Sequence, residues 1–233
     1  MGVGMTHSER SARGFTLIEI LVVVAILGVL MGLVALLIPK AGKEQQKFTT
    51  NQRIQQLSAA IDRYRNEPIG KNRPPPMTLA KLAGLMKQFE GLAYASPNVT
   101  NESSEVLYLA LRHPDLSAKL NPGQLAGDGA IANTDEDQYN RPPPGGGSDP
   151  SAQEVVDAWG NPIIYIEKNS YDAVFQIVLR DGTTVEVKAK KRPDGTSFND
   201  DSYQLISLGP NEAWDEPGSA GYDDITNFTG AER

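Results

Sequence analysis

The chain has 233 residues, a formal net charge of −7 and no cysteine. Its length allows one soluble domain beside a membrane helix, and the lack of cysteine excludes disulfides as a source of stability. The negative charge argues against nucleic acid as a partner, because phosphate binding requires a concentrated basic face. The two histidines are His7 and His113. We therefore expect no histidine-based catalysis, and we expect His113 to be a solvated residue at a helix end.

The first predicted element is an apolar helix over residues 15–38, FTLIEILVVVAILGVLMGLVALLI. A helix of that length spans about 36 Å, which is enough to cross a hydrocarbon core of roughly 30 Å. Glu19 is its single charged residue, and a carboxylate inside a bilayer costs on the order of 2.5–3.5 kcal/mol unless it is paired. Because the segment contains no basic residue, we expect the partner of Glu19 to lie on another chain or at a newly made terminus.

The polar and mildly basic residues 1–14 end in Gly14, directly before Phe15. A secretory signal would place its small-residue cleavage site after a shorter apolar run, whereas here the small residue precedes the run. Cleavage after Gly14 would leave the new amine of Phe15 about one helical turn from Glu19. The alternative is an ordinary membrane anchor whose glutamate reaches toward the headgroups.

This combination of Gly14, Phe15, Glu19 and a long apolar helix resembles the class III leader of type IV prepilins and type II secretion pseudopilins. The resemblance implies that a prepilin peptidase cleaves after Gly14 and N-methylates Phe15, and that Glu19 pairs with the amine of a neighbouring subunit. It also implies a single-pass protein of the bacterial inner membrane with its C-terminal head in the periplasm. The implied partners are identical or homologous subunits, the peptidase, membrane lipid before assembly, and an inner-membrane assembly platform with its ATPase.

Residues 39–67 are predicted to continue the helix in amphipathic form. Apolar residues recur there at spacings of three and four and form one stripe, which consists of Ile54, Leu57, Ile61 and Tyr64. The pattern lasts only about two heptads, which is too short for a coiled coil. We therefore expect the stripe to hold a globular head.

Residues 68–154 are expected to form a helical and loop-rich insertion. Thr78 is predicted to cap one helix, and Ser103 or Ser104 is predicted to cap a second in SSEVLYLALR. Residues 114–150 are poor in apolar side chains, which is typical of a long surface loop or a partly disordered insertion. The run GDGAIANTDEDQ suggests calcium but lacks the EF-hand pattern, so we interpret it as a solvated loop.

Residues 155–233 are predicted to form an antiparallel sheet and an acidic C-terminal loop. Strands are expected in NPIIYIE, AVFQIVLR, TTVEVKAK and SYQLISLG. The middle two are joined by Asp181-Gly182, a pair typical of a type I′ turn. The predicted fold class is α+β, with a C-terminal antiparallel β-meander packed on the long N-terminal α-helix.

Two segments resemble the major pseudopilin of type II secretion systems, the G-type subunit. VVDAWGNPIIY is similar to its D-P-W-G-N-P-Y-x-Y segment, with Ala158 where proline is usual. SLGPNEAWDEPGSAGYDDITNF is similar to its C-terminal loop, which binds calcium through oxygen ligands. A solvated acidic loop is the alternative for this segment. The calcium ligands that the resemblance implies are Leu208, Asn211, Asp215, Asp223 and Asp224.

The function implied by this resemblance is that of a pseudopilin subunit. Such a subunit is processed by prepilin peptidase and polymerises into a periplasmic filament of a type II secretion-like protein export system. One alternative is a type IV pilin or minor pilin for adhesion, motility or DNA uptake, and another is a membrane-anchored binding or enzyme domain. The sequence has no recognisable nucleophile–base pair, histidine metal cluster or phosphate-binding glycine loop. We therefore predict that the chain is not an enzyme.

Overall fold

The computed structural model describes residues 15–96, 100–117, 119–145 and 147–230, with the backbone alone at residues 33–41. The predicted leader, residues 1–14, lies outside the described residues. The chain divides into two compact units, residues 1–43 and residues 44–233. Helix α1, Leu17–Asn66, contributes residues to each unit.

The N-terminal unit contains the apolar part of α1. All side chains at residues 15–32 are exposed, and Phe15 is 83% exposed. In the part of the chain that the structure describes, we find no helix with both the length and the apolar character needed to span a bilayer. The predicted span of residues 15–38 includes positions 33–38, whose side chains lie outside the described residues.

The second unit, the head, is built on the C-terminal part of α1. The predicted apolar stripe is confirmed, because all four of its side chains are 2% exposed or less and belong to the core. Two shorter helices follow, α2 at Leu79–Leu85 and α3 at Glu102–Leu111. The head also has single turns of 3₁₀ helix at Lys87–Phe89, Pro122–Gln124, Lys168–Ser170 and Gly209–Asn211.

One of the two predicted helix caps is correct. Thr78 caps α2, since its hydroxyl oxygen accepts a hydrogen bond from the backbone N–H of Lys81 at 3.4 Å. The predicted cap of α3 is wrong, because the capping residue is Asn101. The hydroxyl of Ser104 instead donates to the carbonyl oxygen of Ile163 at 3.1 Å and ties α3 to the sheet region.

The head has seven described strands that form three small antiparallel sheets. The α+β class is confirmed, but the strands divide between sheets of order β1–β2, β3–β6–β7 and β4–β5 instead of forming one meander. The predicted boundary between residues 154 and 155 falls inside β2, whose partner β1 lies in the insertion. The strands are β1 Ile131–Ala132, β2 Glu154–Val155, β3 Ile164–Glu167, β4 Val174–Val178, β5 Thr184–Lys188, β6 Tyr203–Ser207 and β7 Ile225–Thr226.

The predicted hairpin is present as β4 and β5, with Val174 opposite Lys188 and Val178 opposite Thr184. Its turn differs from the prediction. Gly182 has φ +83°, whereas Asp181 is not among the described residues with positive φ. A type I′ turn needs positive φ at both central positions, so this is a longer turn that places a left-handed glycine before the second strand.

The insertion is more ordered than its composition suggests. Within residues 114–150, several side chains are buried in the head core, namely Leu116, Leu120, Leu125, Ala130 and Tyr139. His113 is also buried, with 1% exposure, so its predicted solvation is wrong. Its ring packs against that of Phe89, with centroids 5.3 Å apart. Widely spaced apolar residues are sufficient for burial when the neighbouring elements provide the surface.

Candidate functional site

The first turn of α1 holds Glu19 in a capping box. One carboxylate oxygen, Oε2, accepts from the backbone N–H of Thr16 at 2.8 Å and from its hydroxyl at 2.9 Å. The N–H of Glu19 donates to the Thr16 hydroxyl oxygen at 3.3 Å. These reciprocal bonds satisfy two of the donors that a helix leaves free at its start. Glu19 therefore has a partner within its own chain, which the sequence analysis missed although Thr16-x-x-Glu19 is the usual signature.

Of the two predicted processing residues, Phe15 is exposed directly before this cap, and Gly14 lies outside the described residues. The helix dipole favours a negative charge in the first turn. The predicted bond from Glu19 to the amine of a neighbouring subunit stays a prediction.

A second candidate site is the C-terminal acidic cluster, formed by Asp215, Asp223 and Asp224. Each offers one carboxylate oxygen, and these oxygens lie within 4.8 Å of one another. The amide nitrogen of Asn211 donates to Asp215 Oδ2 at 3.0 Å, so this side chain presents its NH₂ group to the cluster. Leu208 is buried and directly precedes the 3₁₀ turn Gly209–Asn211.

Lys190 supplies a positive charge to this cluster. Its ammonium group is 0% exposed, pairs with Asp224 Oδ2 and donates to the carbonyl oxygen of Asp215. It also lies 3.9 Å from the ring centroid of Trp214, within the range of a cation–π interaction. Burial lowers the pKa of Lys190, an effect that the charge of Asp224 opposes. Burial raises the pKa of Asp224 to about 6, although Lys190 acts in the opposite direction.

Lys190 was not predicted, and no local signal marks it. Its position at the end of the predicted strand TTVEVKAK does not indicate a buried charge. The backbone N–H of Lys190 donates to the side-chain oxygen of Gln204 on β6 at 2.7 Å, which holds this segment inside the head.

The segment around Trp159 is a structural turn. The buried carboxylate of Asp157 accepts from the N–H of Trp159 at 2.9 Å, from the N–H of Asn161 at 3.0 Å and from the hydroxyl of Ser207 at 2.6 Å. These bonds join the turn before β3 to the end of β6.

Arg53 on α1 anchors the same turn. It is 1% exposed and donates to the carbonyl oxygens of Val156 and Asp157, both at 2.8 Å. It also donates to the carbonyl oxygens of Ala126 at 2.6 Å and Asp128 at 2.8 Å in the insertion. A single buried guanidinium thus connects α1, the insertion and the turn before β3.

Residues 10–35 match the family model described as the prokaryotic N-terminal methylation motif. No curated protein and no solved structure matches the chain significantly. The matched residues include Gly14, Phe15 and Glu19. The chain thus carries a class III prepilin leader, and this motif indicates a type IV pilin-like substrate of a prepilin peptidase.

Proposed function

We propose that the processed chain is a pseudopilin subunit that polymerises into a periplasmic filament of a type II secretion-like protein export system. The observation that carries this proposal is the coincidence of the methylation motif with an apolar helix whose side chains at residues 15–32 are all exposed. A helix that is apolar on every side is stable only when lipid or other helices surround it. Lipid before assembly and neighbouring subunits afterwards meet that requirement.

The capping box supports a pairing role for Glu19. Both bonds from Thr16 go to Oε2, and within the described residues no donor is bonded to Oε1. Cleavage after Gly14 converts the amide of Phe15 into a charged amine. In an apolar filament core, Oε1 and the amine of an adjacent subunit would neutralise each other, and such pairing is strong where water is excluded.

Matched substitutions separate the charge of Glu19 from its capping role. Glu19→Gln keeps a side-chain oxygen that can accept from Thr16 but removes the charge, whereas Thr16→Ala weakens the cap and keeps the charge. We expect Glu19→Gln to insert in the membrane and fail to form fibres, and Thr16→Ala to form them. Mass spectrometry should find N-methylated Phe15 at the start of the mature wild-type chain. An intact leader, or normal fibres from Glu19→Gln, would refute the proposal.

The choice of an export system over a pilus is supported by the turn around Trp159, where the sequence is similar to that of the G-type subunit. Deletion of the coding gene should abolish release of an exported protein into the medium and leave adhesion and motility unchanged. Loss of adhesion, motility or DNA uptake with normal export would favour a type IV pilin instead.

Calcium binding at the C-terminal acidic cluster stays a prediction. The three gathered carboxylates support it, whereas Lys190 competes with a metal ion because it already holds Asp224. If calcium binds there, Lys190→Met should tighten its binding to the full chain in a calorimetric titration, and Asp223→Asn should weaken it. Binding that neither variant changes would exclude this cluster.

A further inference from the structure

A second group of carboxylates lies in the insertion, far along the sequence from the C-terminal cluster. Glu105 on α3 is 0% exposed. Its Oε2 accepts a hydrogen bond from the hydroxyl of Tyr94 at 2.5 Å. Its other oxygen, Oε1, is buried and has no hydrogen-bond partner among the described residues. A buried carboxylate oxygen without a donor is unfavourable, because it has lost its hydrogen bonds to water and forms no replacement within the protein.

Two aspartates lie close to the carboxylate of Glu105. Glu105, Asp135 and Asp137 each place a carboxylate oxygen within 4.8 Å of the others. Oxygens bound to the same calcium ion at 2.3–2.6 Å lie at most about 5 Å apart. The spacing of the three carboxylates therefore fits a shared ion of that size. We call these three residues the insertion cluster.

A fourth carboxylate, Glu154 on β2, increases the negative charge. It is 0% exposed, and its Oε1 accepts from the N–H and hydroxyl of Thr134 at 2.9 and 2.6 Å. Its Oε2 is buried without a hydrogen-bond partner among the described residues. None of the ion pairs between described residues includes Glu105 or Glu154.

Burial disfavours the charged form of both glutamates. Burial, with the charges of Asp137 and other nearby carboxylates, raises the pKa of Glu105 to about 10. Burial is also the main cause that raises the pKa of Glu154 to about 8. Like charges held this closely disfavour their ionised forms unless a cation is present.

The loop that carries the aspartates is fixed in place by hydrogen bonds. The amide nitrogen of Asn133 donates to the carbonyl oxygen of Asp137 at 2.7 Å. The hydroxyl of Thr100 donates to Asp135 Oδ2 at 2.8 Å. Asp135 and Asp137 are themselves half-buried, so solvent reaches one side of the insertion cluster. The aspartate ligands are therefore positioned before an ion binds, and an ion can reach them from the solvent.

We propose that Glu105, Asp135 and Asp137 bind a divalent metal ion, and that this ion is calcium. The ligands are hard oxygens, which exclude a preference for soft metals. Calcium also accepts irregular sets of oxygens, whereas magnesium demands nearly ideal octahedral geometry. The ion would join α3 to the loop of residues 133–137. It would thereby stabilise the insertion of a head that has no disulfide.

The test is a calorimetric titration of the chelator-treated full chain in detergent with CaCl₂, together with thermal unfolding. Glu105→Gln keeps the shape of the side chain and its acceptor for Tyr94. We expect it to fold in chelator, to bind calcium at least tenfold more weakly, and to lose the calcium-dependent rise in melting temperature. Asp137→Asn should act in the same direction. Glu90→Gln, which changes an exposed carboxylate outside both acidic clusters, is the matched control and should bind calcium as the wild type does.

Terbium luminescence provides a second measurement at the same site. The rings of Tyr94 and Tyr139 lie beside the cluster, with centroids 5.2 Å apart, and would sensitise a bound Tb³⁺ ion. Excitation through tyrosine should give emission that calcium displaces, that Glu105→Gln removes and that Glu90→Gln retains. The proposal is overturned if the wild type binds no calcium, if Glu105→Gln binds it as the wild type does, or if MgCl₂ gives an equal response.

Discussion

Removal of the buried ammonium of Lys190 should destabilise the head strongly. The substitution Lys190→Met leaves a side chain of similar length but deprives Asp224 Oδ2 and the carbonyl of Asp215 of their donor. Removing one partner of a buried ion pair lowers the free energy of unfolding by about 3–5 kcal/mol, because the remaining charge is buried without a counter-charge. For a domain of this size, that free energy corresponds to a fall in melting temperature of about 6–20 °C.

The assay is thermal unfolding of the full chain in chelator, followed by circular dichroism. Lys188→Met is the matched control, since Lys188 is exposed, pairs with exposed Glu216 at 3.2 Å and also faces Trp214. Surface pairs of this kind contribute about 0–1 kcal/mol. The double variant with Asp224→Asn should recover part of the loss, because no unpaired charge remains. Equal effects of the two lysine substitutions would refute the reasoning.

Three further substitutions test other parts of the head. Arg53→Met should cost about 2–5 kcal/mol in urea unfolding, because four backbone carbonyls lose a charged donor; exposed Arg63→Met should change stability by less than about 0.5 kcal/mol. Gly209→Ala should cost at least about 1–2 kcal/mol from its φ of +67°. This loss of stability should be larger than that of Gly195→Ala, because a Cβ at position 209 would meet the backbone oxygen of Asp223 at 2.3 Å, whereas a Cβ at position 195 would meet nothing within 4 Å. Equal losses would contradict this contact. Burial lowers the pKa of His113. Its neutral form therefore stabilises the fold above the unfolded pKa of about 6.5, and this contribution is lost as the pH falls from that value through the lower folded pKa. His113→Asn should therefore reduce the fall in melting temperature between pH 7.5 and pH 5, and an unchanged fall would contradict this role.

Local patterns in the sequence predicted the elements whose formation depends on near neighbours. The stripe from Ile54 to Tyr64 is buried as its spacing indicates, and Thr78 caps α2. The hairpin of β4 and β5 lies where Asp181-Gly182 places it. The methylation motif is also local, since Gly14, Phe15 and Glu19 lie within one short segment. In each case a few adjacent residues carry the whole signal.

Composition does not predict burial where burial depends on residues distant in sequence. Residues 114–150 read as a long surface loop or a partly disordered insertion, yet their scattered leucines enter the core. His113 reads as an exposed helix end, yet its ring packs on Phe89. The cap of α3 lies at Asn101, whose side-chain oxygen accepts from Val178 on β4 at 2.9 Å. Because Asn101 and Val178 are far apart in the sequence, a local pattern cannot predict this bond.

The sequence by itself determined the prepilin-type leader, the apolar helix and the α+β class, because these follow from residue types at short, regular spacings. The tertiary structure alone decided which charges meet. It brings Lys190 to Asp224, and it brings Glu105 on α3 to Asp135 and Asp137 in the insertion. The physical reason is that electrostatic energy depends on distance and burial in three dimensions, and neither quantity can be read from order along the chain.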